Sequence, residues 1–483
     1  MAGFTLFVPE ALNTVRGDTR SAPATRATMA WLCIASLWTL MLPGGAAVAE
    51  QDIPRNQIFA EFKTTFEQGD LAQAETLAQS LVAVTEQEFG TDSRELINPL
   101  TNWGTVAFRA GRFAEAEERY QRAVTLLEGQ RSGADRLLIR PLQGLGETWL
   151  ESERAAEAAV VLRRAVDISR NLDGLYNLEQ LDLVDALIEA YVQMGRTADA
   201  EREHQFAYRT AETSFGKNDL RLIAPLDRYA QWFESVGRYS TARGLHARAL
   251  QLSEQLSSER PLVGVPALRG LARTWFLEAV YGSEVEQQPA MPQVAESPGL
   301  MVQQPGSRFS SDGEKALRYA LDIVKERAPD NHQLQGEILT ELGDWYLASG
   351  NRKTRETYAE AWQVLEKAAD NALDTLRAPR LLVYRAPPLA ISRLQPDNPD
   401  EYRLQVVDVL ATVDENGKVS DVRLKDETVE LPEAAARSVI FALRRARYAP
   451  RLEAGVPVAT DAVPFSETLW LRVSKTDQPA STP

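Results

Sequence analysis

The chain has 483 residues, 44% hydrophobic and 25% charged, with a formal net charge of −15, three histidines and one cysteine. That balance belongs to a folded protein and excludes wholesale disorder, and the net acidity argues against a general nucleic-acid binder, because phosphates would be repelled. One cysteine and three histidines are too few for a cluster of soft metal ligands, so neither a metal nor a cofactor is expected.

Residues 1–49 read as a secretory signal peptide. Arg16, Arg20 and Arg26 precede an apolar run from Met29 to Leu42, which is followed by the breaker Pro43-Gly44-Gly45 and the small-x-small site Ala47-Val48-Ala49. The run stops at 14 residues, whereas a spanning helix needs about 20. Cleavage after Ala49 is therefore expected, with an uncleaved inner-membrane anchor as the alternative. Cleavage removes Cys33, so the exported chain has no disulfide and no thiol nucleophile. The removed segment carries three Arg, one Asp and one Glu, which leaves a net charge of −16.

Residues 50–370 follow a 42-residue period. Gly69, Gly111, Gly195 and Gly237 share one lattice, with Glu153 at the missing place. Ala74, Ala116, Ala158, Ala200 and Ala242 keep the same register, as do Ala123, Ala165, Ala207 and Ala249, and Trp149, Tyr191, Phe233 and Trp275 form an aromatic column. Glycine closes a tight reversal between two helices, alanine lets helices approach, and aromatics fill the wider gaps. One such hairpin cannot bury its own apolar face, but a stack of them can. The pattern resembles the tetratricopeptide repeat, in the extended variety of kinesin light chains. Five regular hairpins are expected, then a sixth split by a disordered Pro/Gln/Gly/Ser-rich insertion at about 283–311, then a seventh.

Residues 371–399 hold Pro379, Pro387, Pro388, Pro396 and Pro399 and read as an extended linker. Within 400–474, the alternation of Val407, Val409, Ala411 and Val413 predicts a strand, and Asp414 to Gly417 a turn into a second. A helix from Pro432 to about Arg447 and a final strand from about Val458 to Val473 complete a β-β-α-β unit, and residues 475–483 read as a disordered tail. The turn at Gly417, the helix, Arg447-Tyr448-Ala449-Pro450 and Gly455-Val456-Pro457-Val458 resemble the carboxyl-terminal domain of TonB-family proteins. The predicted fold is thus mainly α: a tetratricopeptide-type solenoid followed by a small α+β TonB-like domain.

That resemblance implies a periplasmic location, possible peripheral association with the envelope, and a partner among TonB-dependent receptors or their energising complex. It also implies that a receptor segment pairs with the sheet. Pro464 is tolerated only at a sheet edge or a bulge, so the final strand is expected at an edge. Phe465, Leu469 and Leu471 are then candidate partner-binding residues, the alternative being that Pro464 caps this edge against any pairing. Arg444, Arg445 and Arg447, with Arg451 beside them, form a basic patch as a second candidate.

Chemistry is otherwise sparse. His204 and His246 fall at the repeat position of Tyr120 and Leu162 and read as packing residues. No Gly-x-Ser-x-Gly, His-Glu-x-x-His or phosphate-loop pattern occurs. Residues 50–370 carry −15 of the charge, which reads as a solvated surface or as an acidic groove for a basic segment. The expected function is a non-enzymatic scaffold accessory to TonB-dependent outer-membrane transport; the alternative is a periplasmic envelope-assembly factor without energy transduction.

Overall fold

The computed structural model describes residues 54–128, 135–255, 259–282, 309–369, 371–387, 402–426 and 433–472. The expected signal peptide, most of the insertion, residues 388–399 of the expected linker and the tail lie outside the described residues. Among the described residues, fourteen α-helices precede the first strand: α1 (Arg55–Glu67), α2 (Leu71–Phe89), α3 (Ile97–Arg109), α4 (Phe113–Glu128), α5 (Ile139–Glu151), α6 (Ala155–Asp173), α7 (Leu181–Gln193), α8 (Thr197–Phe215), α9 (Ile223–Ser235), α10 (Tyr239–Glu254), α11 (Val265–Tyr281), α12 (Ser311–Arg327), α13 (His332–Ser349) and α14 (Thr354–Leu365). One compact unit ends at Ser152 and a second begins at Glu153.

The 42-residue columns have direct physical counterparts. Gly69, Gly111, Gly195 and Gly237 take φ of 82, 72, 68 and 79°, the left-handed conformation that closes each short reversal. Glu153 takes φ 59° at the same place, so the turn keeps its shape where the sequence lacks the favoured residue. The longer turns begin with a second column, not apparent beforehand. Ser93, Asp135, Asn177 and Asp219 each accept a backbone N–H through their side chains, at 3.2, 2.9, 2.9 and 2.8 Å. The alanines at 74, 116, 158, 200 and 242 have no exposed surface at all.

Knobs and holes set the spacing between hairpins. The Tyr120 ring lies where a Cβ on Gly104 or Gly144 would sit, and His246 likewise fills the space beside Gly270. In that column, Gly144, Ala186 and Gly270 are small, but the α9 member is Arg228. His204 opposes it, so His204 and Ala207 stay half-buried while their repeat equivalents Leu162, His246, Ala165 and Ala249 are buried. The His204 ring instead stacks on Trp232 at 4.9 Å.

The carboxyl-terminal part adds β1 (Arg380–Val383), β2 (Tyr402–Val413), β3 (Val419–Leu424), α15 (Glu433–Arg444), β4 (Arg447–Ala449), β5 (Arg451–Glu453), β6 (Val456–Val458) and β7 (Thr460–Arg472). One antiparallel sheet has the order β3-β2-β7; β1 pairs with β4, and β5 with β6. The Asp414 carboxylate accepts from the Asn416 and Lys418 N–H groups and shapes the first turn. Gly417 takes φ 71°, and a Cβ there would lie 1.8 Å from the Tyr448 carbonyl oxygen, so no other residue fits.

Three expectations change. Residues 380–387 are no extended linker, because Leu382 joins Ala449 and Leu452 in one apolar core with Leu339, Trp345 and Tyr358 of α13 and α14. The helix stops at Arg444, and Arg447 opens β4, which β1 needs as its partner. The final strand is interrupted at Ala459, since β6 turns back onto β5 through Ala454 and Gly455 at φ 48 and 79°.

Candidate protein-binding surfaces

Charges buried in the second unit are consumed internally. Glu203 accepts from Arg163 at 2.8 Å and from Arg170 at 3.3 Å. Arg269 donates to Glu337 and, bidentately, to Glu341. Glu234 holds His246 at 2.8 Å and accepts from Arg273 at 2.6 Å. Burial pushes the Glu234 carboxyl up, but Arg273 and His246 outweigh it and hold it below the usual range. Burial, then Arg228, pulls His204 down to about 4, so that ring is neutral at pH 7. Both histidines are packing residues in place, and no group of three His, Cys, Asp or Glu among the described residues could hold a metal ion. Part of the array's acidity is therefore spent on cross-helix pairing.

The strand β7 offers a different kind of surface. No described strand lies beyond it, so one side of its backbone has no ladder partner. Pro464 has no N–H, so its pairing with Leu410 must be of the non-hydrogen-bonded kind. Alternation then turns the N–H and C=O of Thr468 and Trp470 towards the open edge, and those of Phe465, Glu467, Leu469 and Leu471 towards β2. The opposite edge, β3, is protected: it is six residues long, bulged at Asp421 (φ 45°), and carries exposed Asp421 and Arg423.

The candidate residues separate on this sheet. Leu469 is fully buried and Leu471 nearly so, both in the core under α15, and Phe465 packs its ring 4.8 Å from Tyr384. Their side chains support the sheet and do not present themselves to a solvent-side partner, because they share the inward phase of the strand. The outward phase holds Trp470 opposite Leu404 and Thr468 opposite Val406, and Leu404 and Val406, two apart on β2, are each about half exposed (53% and 49%). Sequence alternation identified the phases. Arg444 and Arg445 are exposed, with Arg445 5.4 Å from the Phe441 ring. Arg447 is half-buried in β4, and Arg451 pairs with Glu453 at 2.9 Å, so the basic patch reduces to its first two members.

An inward residue escaped sequence reasoning. Glu467 is 1% exposed among the apolar inward side chains of β7. Burial pushes its carboxyl above the usual range, opposed only by the Tyr384 hydroxyl. Neither carboxylate oxygen completes a well-formed hydrogen bond among the described residues. The available signal was a charge in the phase of Val463, Phe465, Leu469 and Leu471.

The repeats have recognisable relatives. A family model described as tetratricopeptide repeat matches residues 63–129 and 95–171. Similar solved structures include a Podosopora anserina putative kinesin light chain with nearly identical TPR-like repeats, at 14% identity over 44% of this chain and 100% of that one, TM-score 0.40. BtubC from P. vanneervenii matches at 15% identity over 51% and 100%, TM-score 0.34. Aspartyl phosphate phosphatase F from Bacillus subtilis matches at 13% identity over 68% and 78%, TM-score 0.38. No curated protein matches the chain. Residues 63–171 thus match tetratricopeptide repeats, helices of the same 42-residue period continue beyond them, and proteins with such repeats act as scaffolds for protein interaction.

Proposed function

We propose that this chain is an exported, non-enzymatic scaffold that binds one protein through its helical repeats and another by strand addition to β7. The observation that carries the second half is the open β7 edge, unbulged from Val463 to Arg472, beside a protected β3 edge. Backbone pairing supplies affinity at such an edge, and alternate side chains supply selectivity. The signal-like amino terminus and the TonB-like order of turn, helix and final strand favour a periplasmic partner, with a segment of a TonB-dependent receptor as the first candidate.

The fixed attachment of the terminal module supports an accessory role over energy transfer by this chain alone. Arg385 donates to the Val280 carbonyl at 2.6 Å, and Arg380 is buried against Asp344, so the module is not carried on a long free spacer. The second reading, an envelope-assembly factor, uses the same edge with a different partner. Photo-crosslinking residues placed at Thr468 and Trp470 in intact cells, with identification of the adducts, decide between them. A receptor segment supports transport, and an assembly protein supports the second reading. Adducts from exposed array positions alone would remove β7 from the account.

A further inference from the structure

We infer that the strand added at β7 carries a lysine or arginine directly opposite Glu467, and that this cation is the counter-charge the buried carboxylate lacks among the described residues. The inference rests on edge pairing at β7 and names the chemistry of its partner.

Glu467 sits at a position where an apolar residue would be cheaper. Its neighbours on the same face are Phe465 and Leu469, and Val407 lies across from it on β2. From α15, the side chains in the shared core are Ala435, Val439, Ala442 and Leu443, none of which ionises. The segment after β1 contributes Tyr384 and β4 contributes Tyr448, both with hydroxyls pushed up chiefly by burial. No described cation acts on the carboxylate. A carboxyl so enclosed is held neutral or waits for a positive partner, since an unpaired buried charge is strongly disfavoured.

The strand geometry says where that partner arrives. Glu467 directs its backbone groups to β2, so towards an incoming antiparallel strand it forms a non-hydrogen-bonded pair. Such pairs bring Cα atoms to about 4.5 Å and place both side chains on one face. A long basic side chain there meets the carboxylate and displaces the Tyr384 hydroxyl as its nearest polar neighbour. Like charge at that position would be excluded, which gives the edge a selectivity that backbone pairing alone lacks.

The test uses three fluorescent nine-residue peptides of alternating threonine and valine, with the central valine replaced by lysine, norleucine or glutamate. Binding to the full chain is read by anisotropy. The lysine peptide is expected to bind about tenfold or more tighter than the norleucine peptide at pH 7.5, the scale of a close desolvated charge pair. That preference should vanish in Glu467→Gln, an isosteric change that leaves the core filled, and should shrink as the pH is lowered and the carboxyl, raised above its ordinary range by burial, takes up its proton. Equal binding of the lysine and norleucine peptides, both weakened by Thr468→Pro or Trp470→Pro, would keep the edge and overturn the cation. A lysine preference that survives in Glu467→Gln would also overturn it, as general attraction to an acidic protein. Absence of binding by every peptide would overturn edge pairing itself, and the inference with it.

Discussion

Asp344 is where the terminal module is tied to the last hairpin, and its removal is the most demanding perturbation the fold offers. The side chain is fully buried on α13; it accepts from the Tyr358 hydroxyl at 2.6 Å and bidentately from Arg380 of β1 at 2.8 and 3.0 Å. Burial pushes the Tyr358 hydroxyl well up, and the nearby carboxylate adds to it. Asp344→Asn keeps the shape and one acceptor but leaves the Arg380 guanidinium without its hydrogen-bonded counter-charge. Breaking a buried pair in this way costs roughly 3–5 kcal/mol, whereas replacing both partners by apolar residues is often neutral. The expected cost of Asp344→Asn is at the lower end, about 3 kcal/mol, because the amide oxygen still accepts one N–H. Asp344→Leu combined with Arg380→Met should recover most of it. Hydrogen exchange in β1 and β4 is the assay, with an expected acceleration on the order of a hundredfold while α6 to α10 are unchanged. Exchange within threefold of the parent, or a double variant as loose as either single one, would refute the reasoning.

Three further outcomes can be checked by thermal or urea unfolding. Gly270→Ala should cost about 1–3 kcal/mol, because its Cβ would lie 2.3 Å from the fixed His246 ring, while Gly244→Ala, which meets nothing within 4 Å, should gain about 0.5–1 kcal/mol of helix propensity. Glu153→Gly should stabilise by about 1 kcal/mol by relieving a left-handed side chain at φ 59°. For Glu467 the folded carboxyl titrates above its ordinary value of 4.5. The unfolded chain therefore ionises first, and stability should fall as pH rises from 4.5 through the folded value, a decline that Glu467→Gln abolishes.

How much was legible depended on whether the constraint was local and repeated. The reversal at Gly111 and the close approach at Ala116 impose a residue type every 42 positions, so spacing alone exposes them. The strand β1 was not legible. Its four residues, Arg-Leu-Leu-Val, sit among prolines, and their partner Arg447 to Ala449 is more than sixty residues away in sequence. Nothing in a linker-like composition announces pairing at that range. The β5–β6 hairpin was hidden for a different reason: its turn uses Ala454-Gly455 with both residues at positive φ, where Asn-Gly or Asp-Gly would have marked it. Leu469 and Leu471 were read in the right phase of an edge strand. What misled was treating edge and face as one surface, when backbone groups leave by the edge and these side chains by the buried face.

The joint between β1 and the last hairpin also determines how the two binding surfaces can cooperate. A partner held at β7 stays at a set distance from the helices of the same unit, because Leu382, Ala449 and Leu452 share a core with α13 and α14 and Arg385 is anchored to α11. A ligand with one segment for the edge and another for those helices then pays no entropy for ordering an intervening linker in the receptor, and its second contact forms at high effective concentration. On a flexible spacer the same two contacts would be diluted as the spacer lengthened. Asp344→Asn converts the first arrangement into something closer to the second. Its signature in binding would be a loss of affinity for the two-segment ligand, with the affinity of each separate segment retained.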